Sequence, residues 1–349
     1  MHPTETNTEM SPMTQSLETV SVLIPCYNEE LYIRKALDQL VDQFEKSHYE
    51  IVIVDGMSID RTRKVIDAFR EEHPDLMLTI VDNPARHIPI ALNLGVRAAR
   101  GEIIARMDAH AVPPAGYVRR CVEVLRQDNV GAVGMPCLVK PGADTLMARA
   151  IAGAVSHPFG IGDATYRLSS GTLSQEAVDT VAFACFRKSL WQELGGFNEN
   201  LRTNEDYDFN YRIRTSGKNV ILDRSGQCDY FARTTLSGLA KQYRRYGGWK
   251  ARMLRGNPGS VRLRHLVAPV FVLSLILLLA LGIFWPPVLI LLALELGLYL
   301  IMATRCAHQI ACSFGGDVRL YLVVPLVLLT IHLNWGTSLL VGLFREPKS

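Results

Sequence analysis

The chain has 349 residues, of which 48% are hydrophobic, and a net charge of +3; this is enough for one large α/β domain with an appendage, or for two ordinary domains. The charge is unevenly placed, because the stretch 241–265 (KQYRRYGGWKARMLRGNPGSVRLRH) holds eight Lys or Arg and no acid, leaving the remainder net acidic. A basic run abutting a long apolar region suits an anionic inner leaflet and sets orientation, and with no RNA- or DNA-binding pattern beside it nucleic acid is excluded as the partner.

Residues 1–18 are expected to be a disordered lead-in, since the polar run up to Ser16 lacks the apolar core of a signal peptide or a span. From Val20 short β-branched runs alternate with amphipathic ones, the pattern of a parallel sheet covered by helices. Val20–Ile24 reads as a strand and Glu29–Phe44 as a helix, followed by a strand at Glu50–Val54 and a helix capped by Asp60 that carries Val65, Ile66 and Phe69 inward. Leu76–Val81 is a third strand, Ile90–Ala99 a helix, and Gly101–Met107 a fourth strand ending at Asp108. Residues 19–112 therefore form a nucleotide-binding half. The part from 113 to 240, with a strand at Val130–Val139 and glycine-rich loops, reads as the second half of the same domain.

After the basic interfacial segment, 241–265, residues 266–344 contain three apolar segments, Leu266–Trp285, Val288–Thr304 and Leu320–Phe344. Each approaches the roughly 20 residues a helix needs to cross a bilayer. The second is the shortest and holds Glu295 near its middle, either as a functional intramembrane acid or in a structural pair with a partner such as Arg305 near the segment's end. Trp285-Pro286-Pro287 marks a turn, and Arg305–Arg319 reads as a loop. The seven cysteines are scattered without a CxxC pair, which indicates a reducing compartment. Cys306, His308 and Cys312 would give a metal only three ligands between apolar stretches, so they read as buried or membrane-edge thiols.

In open α/β sheets ligands gather beyond the carboxyl ends of the strands, where Pro25–Glu29, Asp55 and Asp108–His110 fall. A nucleotide diphosphate needs a cation for its phosphates and acceptors for its base and ribose. Asp55 is placed to accept from a base N–H or a ribose hydroxyl, although an ordinary strand-to-helix turn would look the same. Asp108 and His110, one residue apart in a loop, can face one divalent ion, Mg or Mn. In Asn204-Glu205-Asp206-Tyr207-Asp208 the acids are either helix caps or a proton acceptor, and Asp206 is the candidate base. Gln242 and Arg245 share a helical face, where the guanidinium can neutralise a departing diphosphate or simply add to membrane-surface basicity.

Taken in order, VSVLIPCYNEE, VDGMSIDRT, NPARHIPIALNLGVRAARGEIIARMDAHA and GGFNENLRTNEDYDFNYRI resemble the motifs of the family 2 glycosyltransferases, from Val20 to about Tyr246. The resemblance implies a doubly wound α/β, GT-A-like glycosyltransferase domain over 19–240, followed by a transmembrane region. It assigns Pro25, Tyr27 and Glu29 to cradling the nucleotide, Asp55 to reading the base, Asp108 to the metal and Asp206 to catalysis. Two departures stand out. His110 replaces the second aspartate of the usual Asp-x-Asp, and Gln242–Tyr246 has Tyr246 where processive polysaccharide synthases carry Trp. MDAHA, the segment FGIGDATYR at 159–167 and the short membrane region are most similar to bacterial succinoglycan-type exopolysaccharide glucosyltransferases. That likeness implies an inverting enzyme of the bacterial inner membrane with a cytoplasmic catalytic domain. Its donor would be a UDP-sugar, with UDP-glucose expected, its acceptor a lipid-linked oligosaccharide, and its partners membrane lipids and other exopolysaccharide assembly proteins.

Three other functions fit parts of the pattern. A processive synthase must thread its polymer through the membrane, for which three apolar segments are few. A nucleotidyltransferase would carry a glycine-rich phosphate loop, which IPCYNEE is not. A non-catalytic scaffold of an export system would release no nucleotide from a UDP-sugar.

Overall fold

A computed structural model describes residues 18–45, 48–168 and 174–345. The expected lead-in lies outside these residues except for Glu18, which is tied to the fold by ion pairs with Arg126 and Arg187 at 3.0 and 2.5 Å.

The first half alternates β1 (Val20–Cys26), α1 (Ile33–Asp38), β2 (Tyr49–Asp55), α2 (Thr62–Glu72), β3 (Met77–Asp82), α3 (Ile88–Ala98) and β4 (Ile103–Arg106). All four strands run parallel in the order β3-β2-β1-β4. Every residue of β2, YEIVIVD, is buried, as expected of a parallel strand covered on both faces. The chain leaves β1 towards β2 and returns on its other side as β4, so the loops after β1 and β4 diverge over a crevice at the point where the order reverses.

The second half supplies β5 (Ala111–Val112), α4 (Tyr117–Leu125), β6 (Val130–Gly134), β7 (Cys137–Lys140), α5 (Leu146–Ala154), α6 (Pro158–Ile161), β8 (Gln175–Ala177), β9 (Cys185–Arg187), α7 (Lys188–Glu193), α8 (Glu205–Thr215), β10 (Asn219–Asp223) and β11 (Cys228–Phe231). Strand β9 pairs antiparallel with β4 and continues the sheet as β9-β6-β10-β8, while β5-β11-β7 form a small second sheet beside it. One eight-stranded sheet thus crosses the boundary between the halves.

Three local expectations need correction. The helix expected over Glu29–Phe44 is regular only for the six residues of α1; Leu40 and Phe44 remain buried, but the chain turns so that the Gln43 amide donates to the Pro114 carbonyl at 3.0 Å. The strand expected over Val130–Val139 breaks at Met135-Pro136 into β6 and β7, which belong to different sheets, since proline has no N–H to donate to a ladder. The third lies in the apolar region.

There α9 (Leu236–Gly256) leads to α10 (Leu263–Phe284), α11 (Val288–Ser313) and α12 (Leu320–Phe344). The last three are long and apolar enough to cross a membrane. The second apolar segment, expected to be the shortest, is the longest helix at 26 residues. Hydropathy ends at Arg305, yet the helix continues because Ala303, Cys306, Ala307, Ile310 and Ala311 form a small-residue face buried in the cluster that joins α5, α11 and α12. The expected loop from Arg305 therefore shortens to the residues after Ser313. Glu295 is not paired with Arg305; it accepts a hydrogen bond from the Ser274 hydroxyl of α10 at 2.5 Å. Cys312 is exposed with its sulfur 3.9 Å from His308 Nε2, whereas Cys306 is buried on another face, so the two thiols are not presented together.

The basic segment is not a surface strip either. Helix α9 lies against α12, and the approach requires glycine at Gly247, where a Cβ would come within 2.6 Å of the Trp335 carbonyl oxygen.

Candidate active site

The loop after β1 is pinned to the loop after β2. Asn28 adopts a left-handed backbone (φ 56°), its N–H donates to Ser58 Oγ at 2.9 Å and its side-chain oxygen accepts from the Ile59 N–H at 2.9 Å. The Tyr27 ring is held under the Arg86 guanidinium, 5.0 Å from its centroid, and packs against Gly56, where a Cβ would already lie 3.1 Å from that of Tyr27. Asp55 is fully buried; its carboxylate accepts from Ser58 Oγ at 2.5 Å and pairs with Arg63 at 2.5 Å. Burial alone would raise its pKa, but these partners outweigh that and hold the carboxyl below the usual range. To receive a base N–H, Asp55 must use lone pairs that Ser58 and Arg63 leave over.

Beyond β4 stands a chain of charges. Arg106, almost fully buried, reaches Asp108 at 3.3 Å with one nitrogen and Glu205 at 3.2 Å with the other. Burial and the charge of Asp206 push Glu205 up to about 7, against the pull of Arg106. Asp206 makes no ion pair among the described residues; its carboxylate accepts the Tyr207 N–H at 2.7 Å and is partly open to solvent. His110 Nδ1 lies 3.3 Å from Glu29, which joins the β1 loop to the β4 loop. Burial opposes a charge on this imidazole, but the hydrogen bond to Glu29 and the charge on Asp108 raise its pKa.

These groups face one cavity of about 780 Å³, whose wall includes Asp108, His110, Glu205, Asp206, Gln242 and Arg245. It continues past Tyr243 and Lys250 to Phe271 of α10, Leu298 and Met302 of α11 and Ile331 of α12. Gln242 donates to the Tyr246 hydroxyl at 3.0 Å, so the two ends of that motif brace each other, while Arg245 lies over the Tyr246 ring, 5.8 Å from its centre, and makes no ion pair among the described residues. The arrangement offers a proton acceptor, a cation-binding pair and a guanidinium on one polar wall, with apolar helices closing the far end.

A family model, Glycosyl transferase family 2, matches residues 21–195, half of the chain. The chain belongs to that family. It is therefore a glycosyltransferase. Among its relatives, the succinoglycan biosynthesis protein ExoA of Rhizobium meliloti (strain 1021) is 28% identical over 255 residues, covering 71% of this chain and 75% of the relative. A dolichyl N-acetyl-alpha-D-glucosaminyl phosphate 3-beta-D-2,3-diacetamido-2,3-dideoxy-beta-D-glucuronosyltransferase of Methanococcus voltae is 26% identical over 241 residues, 68% of this chain and 74% of that one. The same fold appears in a mannosyltransferase of Pyrobaculum calidifontis, solved with GDP-Man and Mn2+, with a TM-score of 0.62 at 23% identity over 94% of this chain and 89% of the other.

In this glycosyltransferase the expected site residues fall into two groups. Asp108, His110, Asp206, Gln242 and Arg245 line the cavity, whereas Pro25, Tyr27, Glu29 and Asp55 lie outside its wall, at the ends of β1 and β2, joined to it through the Glu29–His110 contact. Among the described residues no three His, Cys, Asp or Glu side chains gather as a metal-binding group. Asp108 and His110 give a carboxylate and an imidazole, two donors that would leave positions for diphosphate oxygens on a divalent cation.

Three residues of the site were not picked out from the sequence, and a fourth, Asn93, was legible there only as a position in a family motif. Arg106 is the cation between the two acids. Arg167 lies beside the Tyr166 and Tyr230 rings, 5.4 Å from each, with its Nε unpartnered. Lys250 is only 2% exposed. Asn93 is buried, donates to the Phe197 carbonyl at 2.9 Å and accepts from the Phe197 N–H and the Trp191 indole at 2.9 and 3.2 Å, which fixes the Gly195-Gly196 turn leading to α8. At Gly196 (φ +78°) a Cβ would press on the Asn93 oxygen at 3.0 Å. Of these, Lys250 had a readable signal: with Leu239, Tyr243 and Leu254 it falls on the buried stripe of α9.

Proposed function

We propose that this glycosyltransferase moves a sugar, glucose, from a UDP-sugar to a hydroxyl of a lipid-linked oligosaccharide in bacterial exopolysaccharide assembly, by a single inverting displacement. The acceptor oxygen attacks the anomeric carbon, Asp206 takes the hydroxyl proton, and the bond from the anomeric carbon to the diphosphate breaks to release UDP. Tyr27 stacks on the base and Asp55 accepts from it, with Pro25 and Glu29 shaping that loop. Arg245 meets the negative charge that grows on the departing diphosphate, and Gln242 braces the same helical face. Asp108 and His110 would hold the divalent cation, which supplies charge neutralisation at the diphosphate.

The observation that carries this reading is the place of Asp206. It is an acid without an ion pair among the described residues, on a wall shared with Asp108 and His110, in a cavity that runs on into apolar helices. Glu205, the alternative base, is committed to Arg106. The names of the Rhizobium and Methanococcus relatives, one in succinoglycan synthesis and one acting on a dolichyl-linked substrate, support a lipid-linked acceptor. Within this reading the protein is a multi-pass protein of the inner membrane with its basic side, and its catalytic domain, in the cytoplasm; membrane lipids and other assembly proteins are its neighbours.

The test is a panel of UDP-sugars scored for nucleotide release, with polyprenyl-linked acceptors supplied and the product's anomeric configuration read by NMR. UDP-glucose should give UDP and a β-linked product. Absence of release with every UDP-sugar, or an α-linked product, would defeat the reading.

A further inference from the structure

The cavity holds a buried lysine that the transfer chemistry does not use. Lys250 lies on the inward stripe of α9, yet no carboxylate pairs with it among the described residues. Its ammonium stands 3.1 Å from the centre of the Tyr207 ring and 3.7 Å from the Met253 sulfur. An aromatic face attracts a cation but does not neutralise it, and a buried charge without a counter-charge is costly. The neighbouring Arg264 does not share this deficit, because Asp179 and Asp163 both bind it. Burial and the nearby Arg264 hold the Lys250 pKa well below the ordinary lysine range, the behaviour of a site that gains from an arriving anion.

The surroundings say which kind of anion. Tyr207 follows Asp206 directly in α8, so Lys250 sits beside the proposed base. On its other side the cavity wall turns apolar along α10, α11 and α12. A second groove, about 450 Å³, on the outer face of α10 shares Val267, Phe271 and Glu295 with the cavity. The two spaces thus adjoin at these side chains, between α10 and α11, on apolar surface that a bilayer would cover.

We propose that Lys250, on the Tyr207 ring, seats the phosphate group of the acceptor lipid, whose hydrocarbon tail leaves the cavity between α10 and α11. This rests on the reading of the acceptor as lipid-linked, and it adds which group of the acceptor is recognised and where. The phosphate supplies the counter-charge that Lys250 lacks, the tail lies against apolar helix surface, and the glycan is left in the polar part of the cavity.

The test is direct binding to the full chain in nanodiscs, with three probes: a polyprenyl phosphate, the uncharged polyprenol of the same length, and inorganic phosphate. The phosphate lipid should bind at least about tenfold more tightly than the alcohol, the contribution of one charge-assisted contact. Lys250→Met should abolish that preference, Lys250→Arg should keep most of it, and UDP should bind both variants as it binds the parent chain. Equal affinity for lipid phosphate and alcohol in the parent chain overturns the proposal without need of any variant. So does inorganic phosphate binding as tightly as the lipid, which would make this a free-anion site, and so does a loss of UDP affinity in Lys250→Met, which would give the lysine to the donor. Headgroup-selective binding without sugar transfer would sink the functional reading and leave this site standing; transfer with binding indifferent to the phosphate would do the reverse.

Discussion

Glu205 and Asp206 are adjacent acids facing one cavity, and a substitution at Glu205 separates their roles. Glu205→Gln keeps the shape and one acceptor for Arg106 but removes the ionisable group. In the folded chain the Glu205 pKa stands at about 7 against 4.5 for a free glutamate, so between those values the folded state holds a proton that the unfolded state has released. Stability from this group is complete below about pH 4.5 and is lost as the pH rises through about 7; a displacement of that size corresponds to about 3 kcal/mol. Glutamine behaves as the protonated form at every pH. The variant should therefore be more stable than the parent by about 3 kcal/mol at pH 8, by less than about 1 kcal/mol at pH 5, and should melt about 5–10 °C higher at pH 8. His110, whose pKa is also raised, contributes a loss in the same direction, but it is present in both proteins and cancels in the comparison. The assay is thermal unfolding in nanodiscs, followed by intrinsic fluorescence at the two pH values, with UDP release measured alongside. Sugar transfer should survive in Glu205→Gln. A shift of equal size at both pH values, or destabilisation at pH 8, would refute the account of Glu205 as a buried acid held neutral; loss of all transfer in a folded variant would reassign the base.

Asp206→Asn should lower turnover by about 10²- to 10⁴-fold, the range for removing a general base, while calorimetry shows UDP binding nearly as before; undiminished turnover would end that assignment. Asp108→Ala should abolish the Mn²⁺-dependent part of UDP affinity, and titrations with and without Mn²⁺ that match those of the parent chain would remove Asp108 from a metal site. Gly247→Leu forces a side chain against the Trp335 backbone, which cannot yield as a side-chain end can, so a loss of about 1–3 kcal/mol is expected by thermal unfolding. Purified enzyme with lipid acceptor should add one sugar per acceptor by mass spectrometry, and a ladder of products would point to a processive synthase instead.

The sequence disclosed the strand ends well because β-branched runs mark buried parallel strands, and whatever follows such a strand must lie on the carboxyl edge of the sheet. That argument located Asp55, Asp108 and His110 without knowledge of their neighbours. It could not find Arg106, which reads as one more strand residue in Ile103–Arg106; its meaning lies in Glu205, 99 positions away and brought near only by the β4–β9 pairing. Asn93 was visible as a motif position, but its task of closing the Gly195-Gly196 turn needed the tertiary contact. The length of α11 was misjudged because hydropathy detects contact with lipid, whereas residues past Arg305 stay helical by packing small side chains on α5 and α12. Lys250 was hidden in plain charge counting: a run of eight basic residues suggests a solvated surface, and only the helical period turns one of them inward.

The apolar helices also bear on where the base stands. Asp206 lies in the first turn of α8, whose preceding residue, Asn204, adopts a left-handed backbone (φ 68°) and donates from its side chain to the Tyr246 carbonyl of α9 at 3.4 Å. One turn further along, Asp208 is held by Asn257 at the end of α9, at 3.0 Å. Helix α9 is in turn set against α12 at Gly247, and Gly342 of α12 closes on α9, where a Cβ would lie 2.8 Å from that of Ala251. These contacts run without a gap from the proposed base, through the helix that carries Gln242, Arg245 and Lys250, to the apolar helices. A head cut away from α10–α12 would keep its sheet and its nucleotide loops, but α9 would lose the surface that fixes its position, and the cavity would lose its apolar wall. The C-terminal region is thus better understood as one side of the candidate active site than as an anchor, because the same helix that meets the apolar helices also positions Asp206 and the basic side chains around it.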